Sequence, residues 1–222
     1  MATGLFIVLE GIDGSGTSTH ARLLADWLTK GGHAVTPTAE PTKRPIGVLI
    51  REILRGRLAD ASGLAVHADE TTMAFLFAAD RADHLQNIVL PALYAGRIVL
   101  SDRHYLSSVA YQSLRADMAW VESLNTGFLR PDLTVFLDID PVAALRRKLR
   151  GGEAAERYEN TALLKRVRAN YLEAIAHARA AGERIETLDA AEPIGAVQAA
   201  LRDLVAPLIN TEPPAGSKPA GG

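Results

Sequence analysis

LFIVLEGIDGSGTSTHARLLA, residues 5–25, decides the reading of this chain. An apolar run, Leu5 to Leu9, delivers the chain to a glycine-rich turn, and a helix-compatible segment follows. The turn matches the phosphate-binding loop pattern G-x-x-x-x-G-K-[ST] at Gly11, Gly16 and Ser18, with Thr17 where the pattern has lysine. Glycines let backbone N–H groups approach phosphate oxygens without Cβ clashes. The helix after the turn points the positive end of its dipole at the anion. Ser18 offers a hydroxyl to magnesium; the absent lysine would have placed a point charge on the outer phosphates. On this stretch alone two readings stand: a nucleotide site, and a strand–turn–helix that is only rich in glycine.

Composition narrows the classes around that stretch. A chain of 222 residues has room for one domain with a sizeable core, and 48% apolar with 23% charged residues is the ordinary globular range. A formal net charge of −2 argues against a protein that coats nucleic acid. Zero cysteines excludes disulfides and thiolate metal sites. The N-terminal apolar run stops at Glu10 without a basic segment before it, and no apolar stretch approaches the roughly 20 residues of a membrane span. A soluble cytoplasmic protein is expected, with one domain over residues 1–210 and a disordered Pro/Gly/Ser/Ala-rich tail over 211–222.

Strand-like and helix-like stretches alternate beyond the loop. Strands are expected at Leu5–Glu10, Ala34–Glu40, Arg97–Ser101, Leu133–Asp138 and Arg184–Leu188. Helices are expected at Thr19–Lys30, from Pro45, over a long stretch from His67 to Leu93, from Asp102-Arg103 to about Asn125, and at Pro141–Leu149, Glu156–Ala181 and Pro193–Ile209. Such alternation predicts an α/β fold, a parallel sheet wrapped on both faces, with ligands at the carboxyl ends of the strands. The loop at Gly11, the Glu40-Pro41 corner and the Asp102-Arg103 pair all fall at that edge.

Three constellations carry candidate chemistry. Asp102 can hold magnesium while Arg103 binds phosphate in a fork; the bland alternative is an ion pair at a strand end. Phe77 and Arg81, four apart on a helix, share a face that could stack a base and bond its edge; from the residues alone a core phenylalanine with a surface arginine is the simpler account. Arg146, Arg147, Lys148, Arg150 and Arg157 surround Gly151-Gly152, either as a solvated helix face or as a lid, about residues 146–158, that closes on phosphates. The six histidines show no metal-ligand grouping and receive no role. No serine sits in a nucleophile-elbow context, so hydrolase chemistry has no support.

Six motifs in order resemble thymidylate kinase. They are FIVLEGIDGSG (6–16), EPTKRPIGVLIRE (40–52), LFAADRADH (76–84), SDRHYLSSVAYQ (101–112), PDLTVFLDIDP (131–141) and ERYE (156–159). The resemblance implies a P-loop kinase with a five-stranded parallel sheet and a short lid, usually a homodimer, that moves the γ-phosphoryl group of ATP to dTMP with magnesium. It implies that Gly11, Ile12, Asp13, Gly14, Ser15, Gly16, Thr17 and Ser18 cradle the ATP phosphates, and that Ser18 and Asp102 place the metal. Asp13 would meet the sugar 3′-hydroxyl of dTMP. Glu40, Arg51 and Arg103 would line the monophosphate pocket, Phe77 would stack on thymine, and Arg81 would bond its edge. Ser108 and Gln112 would contact the nucleoside, and Tyr111 would crowd the 2′ position. The long stretch His67–Leu93 is expected to form part of the dimer surface.

Gly14 stands where some members of that family carry a loop arginine, so the lid should supply the cation for the transferring phosphate, with Arg150 and Arg147 leading and Arg157 behind. The chain departs from the family pattern at His104, at Lys43-Arg44 and, most seriously, at Thr17. A lid arginine, Lys43 or Arg44 is expected to cover the missing charge. Two rivals remain: a kinase for dUMP or another pyrimidine monophosphate, and a non-catalytic nucleotide-binding or regulatory protein.

Overall fold

The computed structural model describes residues 4–148 and 154–209, leaving aside the side chains of 148 and 154–160. Arg150 and the tail 211–222 therefore lie outside the described residues, as do the side chains of Arg157 and the rest of the ERYE motif. Five strands form one parallel sheet in the order β2-β3-β1-β4-β5. They are β1 (Leu5–Glu10), β2 (Val35–Ala39), β3 (Ile98–Asp102), β4 (Leu133–Asp138) and β5 (Ile185–Asp189). The apolar run of β1 is continuous because both its faces are covered. Ile7 and Leu9 enter the larger core with Leu24 and Leu28 of α1 (Thr17–Lys30), while Phe6 and Val8 pack with Leu85, Val89 and Leu93 on the other face. Central β1 lies between β3 and β4, where the strand order reverses, so the loop after it opens into the crevice such sheets use for ligands.

Among the described residues seven further helices complete the wrapping beside α2 (Pro45–Leu54), and two of the expected ones are broken. The long stretch becomes α3 (Glu70–His84), a π-helical turn at Leu85–Val89 and α4 (Leu90–Tyr94). It starts at Glu70 because the Asp69 carboxylate accepts the N–H of Thr72 at 2.7 Å. The wide turn immediately precedes Pro91, which has no N–H to continue the helical ladder. After β3, helix α5 (Tyr105–Gln112) ends, and α6 (Met118–Ser123) restarts where Asp117 accepts the N–H of Trp120 at 2.8 Å. The chain then runs through α7 (Pro141–Lys148), α8 (Ala154–Ala180) and α9 (Ile194–Ile209). Among the described residues no helix is long and apolar enough to cross a membrane.

Candidate functional site: two cavities that share a wall

The turn after β1 takes its shape from two glycines. Gly14 (φ 88°) and Gly16 (φ 96°) adopt the left-handed conformation, and a Cβ on Gly14 would run into the carbonyl of Ala144. Gly16 immediately precedes α1, so the first N–H groups of that helix face a cavity of about 870 Å³. Loop residues 13–19, His20, Arg103, Arg147 and the β5–α9 connection line it. Thr17 is buried there, at the position of the absent lysine.

At the end of β3 the Ser18 hydroxyl donates to Asp102 Oδ2, and Asp102 Oδ1 is buried without a hydrogen-bond partner among the described residues. Among the described residues no three His, Cys, Asp or Glu side chains converge on a metal site. Magnesium needs only one or two carboxylates and keeps its waters, so the Ser18–Asp102 pair of hard oxygens fits it. Arg103 follows with φ 74°, a strained value for a residue with a Cβ. This backbone is pinned by Arg103 N–H on the Leu9 carbonyl at 2.8 Å and by Ser101 Oγ on the Arg103 carbonyl at 2.7 Å. The guanidinium then reaches Asp13 Oδ1 at 2.8 Å and lies over the Tyr111 ring. Tyr111 donates its hydroxyl proton to Asp13 Oδ1 and accepts the Asp13 N–H, both at 3.0 Å. Burial raises the Tyr111 pKa to about 12, so it stays protonated as that donor.

A second cavity, about 390 Å³, opens beyond Arg103. Its floor is Arg81, which is 0% exposed. The Arg81 guanidinium donates at 2.8 Å to Glu40 Oε2 and at 2.8 Å to Ser108 Oγ, and also to Asn125 Oδ1. The other Glu40 oxygen meets His84 Nδ1 and His104 Nδ1, each at 2.9 Å. Burial alone would raise the Glu40 carboxyl; the Arg81 charge and the His104 contact outweigh it and hold Glu40 well below the usual carboxylate range. Phe77, Arg51, Tyr111 and Gln112 complete the wall. Among the described residues Arg81 Nε and Gln112 Oε1 have no protein partner although both are buried, a donor and an acceptor that a ligand could satisfy.

Beneath both cavities Glu10 closes β1. Its oxygens accept the His104 N–H at 2.8 Å, the Ser107 hydroxyl at 2.5 Å and the Tyr171 hydroxyl at 3.0 Å, which fixes the start of α5. Burial pushes its pKa up to about 7.

A family model described as thymidylate kinase matches residues 9–201. The chain belongs to the thymidylate kinase family. A probable thymidylate kinase of Pyrococcus horikoshii is 45% identical over 171 residues, covering 76% of this chain and 82% of that relative. One of Thermococcus gammatolerans is 43% identical over 175 residues with the same coverage. The thymidylate kinase of Clavibacter michiganensis subsp. michiganensis is 40% identical over 217 residues, 93% of this chain and 97% of that relative.

For a member of the thymidylate kinase family, the expected site residues gather closely. Asp13, Gly14, Ser15, Gly16, Thr17 and Ser18 line the larger cavity, and Glu40, Arg51, Phe77, Arg81, Ser108, Tyr111 and Gln112 line the smaller. Arg81 is no surface arginine. The expected substitutes for the lysine charge fare differently. Arg44 donates to Asp83, and neither Lys43 nor Arg44 lines a cavity. Arg147 lines the larger cavity, with its guanidinium on the Ala190 and Ala191 carbonyls at 2.8 and 3.3 Å. Three histidines left without a role, His20, His84 and His104, are buried in or beside the cavities. Asn125, which holds Arg81, was also missed. Its partner lies 44 residues away, and no local pattern marks it.

Proposed function

We propose that this chain transfers the γ-phosphoryl group of ATP to dTMP, giving dTDP and ADP. The observation that carries the reading is the shared wall: Asp13, Ser18 and Arg103 line both cavities, so a phosphate in one lies next to a phosphate in the other. The loop and the N-terminus of α1 bind the donor, and the Phe77–Arg81 pair orients the acceptor base. Arg103, held by Asp13, faces the acceptor phosphate. An oxygen of that phosphate bonds to the γ-phosphorus as the bond to the β–γ bridging oxygen breaks, and ADP leaves with the electron pair. A phosphate monoester near pH 7 is already anionic, with a second pKa of roughly 6, so no strong general base is needed. Alignment and charge stabilisation dominate such transfers. Ser18 and Asp102 would hold magnesium, whose charge would neutralise the phosphates. Arg150 is the cation proposed to serve the transferring group.

The reading includes a cytoplasmic homodimer. Exposed apolar side chains on α2 and α3, Val48, Leu49 and Phe75, support a subunit contact there, which the mass in solution tests. The deciding experiment is ADP release with ATP, magnesium and dTMP, with dUMP, dCMP and dGMP in parallel. Turnover selective for dTMP is expected. Binding of both nucleotides without turnover would instead support a regulatory protein, the reading that Thr17 makes possible.

A further inference from the structure

Thr17 brings no charge to the loop, Lys43 and Arg44 lie outside the cavity, and Arg103 and Arg147 are bound to Asp13 and to carbonyls. One side chain of α1 that lines the cavity is only 3% exposed: His20. Its N–H donates to the Gly16 carbonyl at 2.9 Å, so it stands one turn beyond the loop. Helical side chains lean toward the N-terminus, which lays this ring back over Gly16. A Cβ built on Gly16 would meet His20 Cδ2 at 3.3 Å and Nε2 at 3.7 Å.

Gln198 of α9 fixes the tautomer. Its amide nitrogen lies 3.2 Å from the His20 carbonyl oxygen and 2.9 Å from Nδ1. A carbonyl oxygen only accepts, so the NH₂ group faces His20, and its second hydrogen goes to Nδ1. Nδ1 is then an acceptor, and the neutral ring carries its proton on Nε2, the edge turned to Gly16. Among the described residues no group hydrogen-bonds to Nε2.

We propose that His20 is a donor-binding residue of the phosphate loop: its Nε2–H hydrogen-bonds to the triphosphate chain where it passes Gly16, replacing part of what the absent lysine would supply. The inference rests on the kinase reading above. It gives the loop a neutral, positioned donor rather than a cation.

Calorimetric titration tests it, with ATP and magnesium, inorganic tripolyphosphate, adenosine and dTMP as probes. A hydrogen bond to a charged group implies that His20→Ala weakens ATP and tripolyphosphate about tenfold or more. Adenosine and dTMP should bind as before; dTMP also reports that the variant is folded. His20→Phe keeps the ring volume and should show the same loss, which covers a collapse of the alanine variant. His20→Gln, whose amide reaches the Nε2 position, should recover most of it. In a Thr17→Lys background the alanine loss should shrink below about threefold, because the lysine now holds the phosphates. Unchanged ATP affinity in His20→Phe and His20→Ala would overturn the proposal alone. So would an equal loss for adenosine, or an undiminished loss beside Thr17→Lys. A wild-type protein that binds no ATP would overturn the kinase reading, and this proposal with it.

Discussion

The two cavities are built from different materials. The smaller is walled by charged side chains that already hold one another, with Glu40 between Arg81, His84 and His104. The larger is floored by backbone: a turn, two left-handed glycines and a helix N-terminus. Its two arginines are engaged at the rim, and the residue in the lysine position is a threonine. Discrimination among bases needs side chains fixed before the ligand arrives. Binding of a phosphate chain, the same in every nucleotide, is served by N–H groups that any sequence with the right glycines can present. On the proposed reading, the acceptor site would be specified by identity and the donor site by conformation.

Substitutions can break this contrast, and the largest effect should come from the smaller cavity. Arg81→Ala leaves Glu40 buried without its main counter-charge, which costs about 3–5 kcal/mol of stability; thermal unfolding should show it, with dTMP binding lost. A second test lies on the shared wall. Arg103→Met removes a cation that faces both cavities, and kcat should fall on the order of 100–1000-fold, read by ADP release. Phe77→Ala should then separate the cavities. Loss of base stacking is worth about 1–3 kcal/mol, so KM for dTMP rises while KM for ATP stays. An equal rise in both would refute the division.

The gentlest test uses the two buried glutamates, whose pKa values move in opposite directions. Glu10 is raised from 4.5 to about 7 by burial. Between those values the unfolded chain has lost a proton that the folded one keeps, so stability falls as pH rises through the window. Glu40 is held low, so the stability it adds is present at neutral pH and is lost as pH falls below the ordinary glutamate value of 4.5 toward its folded pKa. Glu10→Gln should flatten the decline between pH 4.5 and 7 in denaturant titrations and leave the acid limb in place.

Much of this was legible in the sequence because it was local. β4 falls at Leu133–Asp138 as its apolar run predicted, and the loop, the Glu40 corner and the Asp102-Arg103 pair meet at one sheet edge as parallel topology requires. The four-residue spacing of Phe77 and Arg81 put them on one face, yet could not say whether that face was wet. Burial of Arg81 depends on Asn125, Ser108 and Glu40, which come from three other segments. His20 was illegible for the same reason: its partner Gln198 is 178 residues away. The turn at Leu85–Val89 was hidden because a π-helical widening keeps the helical composition around it.

The wall of Asp13, Ser18 and Arg103 has a thermodynamic corollary. Two ligands that lean on the same three side chains cannot bind independently. Whatever factor one nucleotide imposes on the affinity of the other must be returned unchanged in the opposite direction. The concentration of the phosphate donor would then set the apparent affinity for the acceptor, and the enzyme's response to scarce acceptor would depend on how much donor is at hand.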